Sequence, residues 1–162
     1  MKIKFIADTM LGDLARWLRM LGFDTLYSKD FRDDEIIKLA KKEGRIILTR
    51  DRLLHKKALK ENIKSIWRSD SDTVSWLKRI KTEFNIKTLT FNPEATRCPI
   101  CNTPLIRVLK FEVKGNVPDE VLNKYDKFWK CLKCGKVYWI GTHWITINDI
   151  LKRVNEDYTS EG

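Results

Sequence analysis

Along the first 85 residues the apolar positions switch repeatedly between helical spacing and short continuous runs. Ile3, Phe5 and Ile6 form an apolar run closed by Thr9 and Gly12, which predicts a buried strand. Leu11, Leu14, Ala15, Leu18 and Leu21 then recur at helical spacing and predict a helix with one apolar stripe. Gly22 stops it, and residues 23–27 predict a second short strand. Residues 33–44 predict a helix with Asp33, Asp34 and Glu35 in its first turn, Lys41 and Lys42 near its end and Gly44 as terminator, an order that suits the helix dipole. A β-branched strand at 45–49, a basic helix to about Glu61, a strand at 63–67 and a helix carrying Val74, Leu77, Ile80 and Phe84 complete the series.

This alternation predicts an α/β unit with a mainly parallel sheet and helices on both faces. Right-handed crossovers bring the ends of such strands to one rim, where ligands bind in open α/β sheets. Asp8, the acids at 33–35 and Asp51 all follow strands or open helices there. The pattern breaks at Asn92-Pro93-Glu94, so residues 1–92 form the first expected domain and 93–162 the second. In the second, 105–113 and 136–140 are strand-like, 118–125 suits a helical insertion, and a helix from Ile147 to about Glu156 precedes an acidic tail.

All four cysteines fall in this second unit, as Cys98-Pro-Ile-Cys101 and Cys131-Leu-Lys-Cys134. Two C-x-x-C pairs with none left over predict a tetrathiolate zinc site, each pair forming a knuckle that supplies two tetrahedral corners, with Gly135 suited to the turn after the last ligand. The arrangement resembles a zinc ribbon. Four sulfurs close the coordination sphere, so the zinc is expected to be structural. A unit of this size buries little core, whereas structural zinc contributes about 10–16 kcal/mol of apparent binding free energy. Two disulfides are the competing reading, against which the expected reducing compartment counts. His143 is a fifth candidate ligand, and Trp129, Trp139 and Trp144 are candidates for base stacking or for packing around the ribbon.

Charge changes the picture more than composition does. The 162 residues carry a formal charge of +10, and counting along the sequence puts +8 in residues 1–92 and +2 in 93–162. Positive potential concentrated in the α/β unit suits a polyanion such as RNA. A Lys-rich solvated surface is the plainer alternative. No apolar run approaches the length of about 18 residues that a membrane span needs, and no secretory leader is visible, so a cytoplasmic protein is expected.

The carboxylates have two readings. Asp8, Asp33 or Asp34, and Asp51 would each make a helix cap. Converged, they would need a cation, because two carboxylates about 4 Å apart repel by about 4 kcal/mol at an effective dielectric near 20. All-oxygen ligation favours magnesium or manganese, and such a site hydrolyses phosphodiesters with no histidine as base.

The segments Asp8 to Asp24 (D-T-M-L-G-D-L-A-R-W-L-R-M-L-G-F-D), Asp33 to Ile36 (D-D-E-I) and Ile47 to Leu54 (I-L-T-R-D-R-L-L), followed by the paired C-x-x-C, resemble the Mut-seven C-terminal RNase family. The resemblance covers nearly the whole chain, and its motifs occur in the family's order. It implies a PIN-like nuclease domain with an appended zinc ribbon, and an endoribonuclease that uses magnesium or manganese on single-stranded or structured RNA. Carried over, Asp8 and Asp51 match two acids of the cluster and Asp33 the middle one, with Asp34 next and Asp30 a distant third. A fourth acid would fall on Asp70 or Asp72, which equally suit a helix cap. Arg16 and Arg50 are candidates for holding the RNA backbone near the metals. The ribbon would position RNA or a ribonucleoprotein partner. The alternative is a non-catalytic RNA- or ribonucleoprotein-binding zinc-ribbon protein.

Overall fold

The computed structural model describes residues 2–156; the acidic tail from Asp157 onward lies outside them. Four parallel strands, β1 (Lys4–Ala7), β2 (Asp24–Leu26), β3 (Ile46–Thr49) and β4 (Ser65–Trp67), form a sheet in the order β2-β1-β3-β4. Between them run α1 (Gly12–Met20), α2 (Asp33–Glu43) and α3 (Arg52–Lys60), and α4 (Thr73–Glu83) follows β4.

Side chains alternate across a strand, so each strand feeds both faces of the sheet. Phe5, Ala7, Leu48 and Ile66 pack with Leu14, Leu18, Trp76, Leu77 and Ile80 of α1 and α4. On the other face Ile6 and Ile47 pack with Ile36, Ile37 and Ala40 of α2 and with Leu54 and Ala58 of α3. This is the α/β arrangement expected, with helices covering both faces. The chain goes from β1 to β2 on one side and returns to place β3 on the other. The strand order therefore reverses between β1 and β3, the position where open α/β sheets leave a crevice at the strand ends.

The cysteine-bearing segment forms a three-stranded antiparallel sheet in the order β5-β6-β7, from β5 (Ile106–Val108), β6 (Phe128–Lys130) and β7 (Val137–Tyr138). It differs from the two-strand expectation in two ways. The stretch at 105–113 is strand only at its start and closes as a 3-10 turn, Lys110–Val113. The central strand is β6, three residues too short to stand out in the apolar pattern. The expected helical insertion is present as α5 (Asp119–Lys124), over a small core of Val113, Val117, Leu122 and Phe128.

The last helix, α6 (His143–Asn155), begins four residues before the expected start at Ile147. It returns to the first unit, where Leu151 and Val154 join the α1–α4 side of the core. Among the described residues, no helix is long and apolar enough to cross a membrane.

Candidate active site and cysteine centre

Asp8 stands directly after β1 and is 5% exposed. It does not cap α1: that helix starts at Gly12, with Leu11 at the capping position and no side-chain cap. The carboxylate is instead held by three donors. Met10 N lies 2.9 Å from Oδ1, and Oδ2 accepts from Thr49 Oγ1 at 2.5 Å and from Arg50 N at 2.8 Å. Thr49 ends β3, and its hydroxyl also accepts from Asp51 N at 2.9 Å. One buried threonine thus ties the acid after β1 to the acid after β3. Asp51 caps α3, accepting at Oδ1 from Leu53 N at 2.9 Å and Leu54 N at 3.4 Å. Met10 and Leu53, each two residues beyond its acid, are 56% and 73% exposed beside the rim.

Asp33 opens α2, which packs on the same face of the sheet as α3, while Arg32 occupies the capping position. Partial burial raises its pKa first, the charges of Asp51, Asp8 and Asp34 raise it further, and Lys57 opposes them. Asp8 and Asp51 therefore both bear on Asp33. Their approach is looser than that of the cysteines: among the described residues, the four cysteines are the group that brings three or more candidate ligand atoms within 4.8 Å of one another.

The other acids are engaged elsewhere. Asp34 is exposed and within 3.7 Å of Arg32 Nε, and Asp30 sits exposed in a turn whose amide donates to Ser28. Asp70 pairs with Arg68 at 2.7 Å, and Asp72 caps α4 through Ser75. The arginines divide likewise. Arg16 is exposed and paired with Asp13 at 3.2 Å. Arg50 donates through Nε and Nη2 to the Ser69 carbonyl at 3.1 and 2.9 Å, so its backbone rather than its side chain touches Asp8.

The two cysteine pairs form matching knuckles. Asn102 N donates to Cys98 O at 2.9 Å and Gly135 N to Cys131 O at 2.8 Å, and both turn residues are left-handed, with φ of 69° and 76°. Glycine and asparagine are the residues that reach this conformation most readily. All four Sγ atoms lie within 4.8 Å of one another, with Cys98–Cys134 at 3.7 Å and Cys101–Cys131 at 3.3 Å. A tetrahedral set at the usual zinc–sulfur length has its sulfurs about 3.8 Å apart, so the residues fit that metal. Burial pushes the Cys131 thiol up to about 11. Burial also works against ionisation of Cys101, but the Thr103 hydroxyl and amide bring it down to about 6. Two neighbouring thiols that share a proton split in this way.

Near this centre Tyr138 Oη lies 3.1 Å from Cys98 Sγ, and burial raises its phenol pKa, which keeps it a neutral hydrogen-bonding group. His143 starts α6, exposed, and is not part of the sulfur cluster. The three tryptophans are packed: Trp129 is 3% exposed with Arg107 over its ring, Trp139 meets Phe128, and Trp144 meets Phe91.

The first knuckle is fastened to the parallel sheet. Arg19 is 5% exposed and donates to Thr25 O at 2.8 Å, Pro99 O at 2.8 Å and Ile100 O at 3.2 Å. Asn102 accepts from Thr25 N at 3.0 Å and donates to Asp24 at 2.7 Å, and Asp24 in turn pairs with buried Arg45 at 2.8 Å. By spacing alone Arg19 groups with Arg16, and the T-R-D motif by itself gives Thr49 no role. A buried arginine one turn before a C-terminal glycine leaves no local signal. Thr49 leaves a weak one, as the polar residue that ends an otherwise apolar strand.

The family model of the Mut7-C RNAse domain matches residues 3–151, and the chain belongs to that family. No curated protein and no solved structure matches the chain.

Proposed function

We propose that this member of the Mut7-C RNAse domain family is a metal-dependent endoribonuclease with a PIN-like catalytic unit, its chemistry carried by Asp8, Asp33 and Asp51. The observation that carries the reading is the Thr49 hydroxyl, which joins Asp8 to Asp51 while both acids raise the pKa of Asp33. Carboxylates gathered on one rim repel one another, a cost that a shared cation offsets. The donors are carboxylate oxygens, the set that suits magnesium or manganese.

Asp8, Asp33 and Asp51 would hold a divalent ion there, which would supply charge neutralisation for the phosphate and an activated water. The bonds that Asp51 accepts fall on Oδ1, Asp33 is exposed, and Asp8 Oδ1 takes a single donor, so each acid keeps an acceptor oxygen with spare capacity. Thr49 and the amides of Met10 and Arg50 set the direction of the Asp8 carboxylate. The cysteine centre takes structural zinc, closed by its four sulfurs to substrate, and the basic surface of the α/β unit faces RNA. Arg50 contributes chiefly through its backbone; its guanidinium is anchored at the Ser69 carbonyl through Nε and Nη2.

The test is cleavage of labelled single-stranded RNA in manganese by the wild-type chain, Asp8→Asn and Asp51→Asn, with folding checked by circular dichroism. Loss in both folded variants, and arrest by brief EDTA before zinc is released, supports the reading. Cleavage that persists in both variants overturns it. Binding of RNA without cleavage in any metal returns the chain to the non-catalytic binding module.

A further inference from the structure

α4 has a polar stripe opposite its buried one. Val74, Trp76, Leu77 and Ile80 enter the core, whereas Ser75, Lys78, Thr82 and, just past the helix end, Asn85 line a groove with a volume of about 870 Å³. The same groove is lined by Arg68, Arg79, Lys81 and Lys87, and Glu156 is the acid on its wall. Five cations against one lining carboxylate make it strongly basic. Arg68 pairs with Asp70 at 2.7 Å and Arg79 with Glu83 at 3.4 Å, and both pairs are partly solvated. Screened pairs of this kind contribute little to stability, so a phosphate competes for them cheaply.

The groove begins beside the acidic rim. Arg68 N donates to Thr49 O at 3.2 Å, and Thr49 is the residue that joins Asp8 to Asp51. Ser69, the next residue, receives the Arg50 guanidinium. From this junction the cations continue along an eleven-residue helix, a run of roughly 16 Å. The side chain of Asn85 adds a short polar donor of the kind that holds phosphate oxygens without reading bases.

We infer that this groove carries the phosphodiester backbone of an RNA strand, extending it away from the acidic rim on the β4 side. The inference rests on RNA being the substrate, as proposed above. An acidic polypeptide is the other polyanion the charge admits, but continuity with the phosphodiester-cleaving rim favours the nucleic acid.

The experiment measures binding of a fluorescein-labelled 20-nucleotide single-stranded RNA by anisotropy, without divalent ions, across a salt series. Lys81→Gln with Lys87→Gln is compared with a control of equal charge, Lys41→Gln with Lys42→Gln, at the end of α2 on the opposite face. The groove pair lowers the slope of log K against log salt by about 1.4, roughly 0.7 for each phosphate no longer neutralised, and the control keeps the wild-type slope. Hydrolysis of bis(p-nitrophenyl) phosphate, too small to reach the groove, is unchanged in the groove pair. Equal slopes in all three proteins overturn the inference, as does an equal fall in both pairs, which would make the binding one of net charge. Polyglutamate that displaces the RNA at matched charge concentration also overturns it. Because binding is read without cleavage, an inactive chain would defeat the ribonuclease reading and leave the groove standing.

Discussion

The cysteine centre and the acidic rim gather four and three ligand-bearing side chains by opposite means. In the first, two short knuckles of the same geometry each bring two sulfurs together, and all four Sγ atoms lie within 4.8 Å. In the second, the acids come from three separate strand–helix junctions, and the link between the two strand-end acids is a single hydroxyl, that of Thr49. Thiols are neutral until deprotonated and pack together at little cost. Carboxylates near neutral pH repel, so the fold holds Asp8 with amides, commits one oxygen of Asp51 to a helix cap and leaves Asp33 solvated. A four-sulfur cluster is thus written locally, and an acidic rim is assembled by the sheet.

The sharpest way to break that contrast is to remove one sulfur. Cys131→Ser, or exhaustive zinc stripping, forfeits much of the roughly 10–16 kcal/mol of apparent binding that a structural zinc supplies. Hydrogen exchange should show the β6 amides losing protection. The Thr25 amide should follow, because Asn102 and Arg19 tie β2 to the first knuckle. β1 and β3 should stay protected. Equal loss of protection in all strands would mean that the two regions are not separable in stability.

Thr49→Val makes the matching break in the rim. It removes the donor to Asp8 and the acceptor of the Asp51 amide together, at about 1–3 kcal/mol of stability read from denaturant unfolding. RNA cleavage should fall by roughly 10–100-fold, as expected for a residue that orients metal-binding groups. Wild-type cleavage in this variant would mean that the acids are oriented independently of each other.

The smallest effect sharpens the electrostatic side. The Asp33 pKa is raised, by burial first and then by Asp51 and its neighbours, so the folded state holds this proton more tightly than the unfolded chain does. Its protonated form therefore favours folding at low pH, and that contribution disappears as pH rises through the folded pKa. Near neutral pH, Asp33→Asn should raise Tm slightly, with the gain shrinking toward acid pH. Manganese should raise the wild-type Tm more than the variant's. An Asp33→Asn gain that is the same at all pH values would exclude charge as its cause.

Much of this is legible in the sequence. The alternation of strands and helices, the helix-terminating Gly44 and the Gly135 turn follow from periodicity and backbone freedom. So does the pairing of the cysteines, because a C-x-x-C knuckle is decided within five residues. The same local logic misses β6, whose three residues are made a central strand by β5 and β7 on either side. It also offers a helix cap for Asp8, which is a fair local preference for an aspartate before a helix. The cap gives way to the Thr49 hydroxyl and Arg50 amide, delivered from a strand 41 and 42 residues away.

The sequence by itself therefore determined the element order of the first 85 residues, the α/β class and the four sulfurs, since those depend on interactions along a few turns of chain. Only the tertiary structure decided that Thr49 joins two acids, that Arg19 is a strut to the first knuckle, and that α6 returns to the first core. Each of those joins residues far apart in the chain, set by strand order and the packing of both sheet faces, and no local period encodes it.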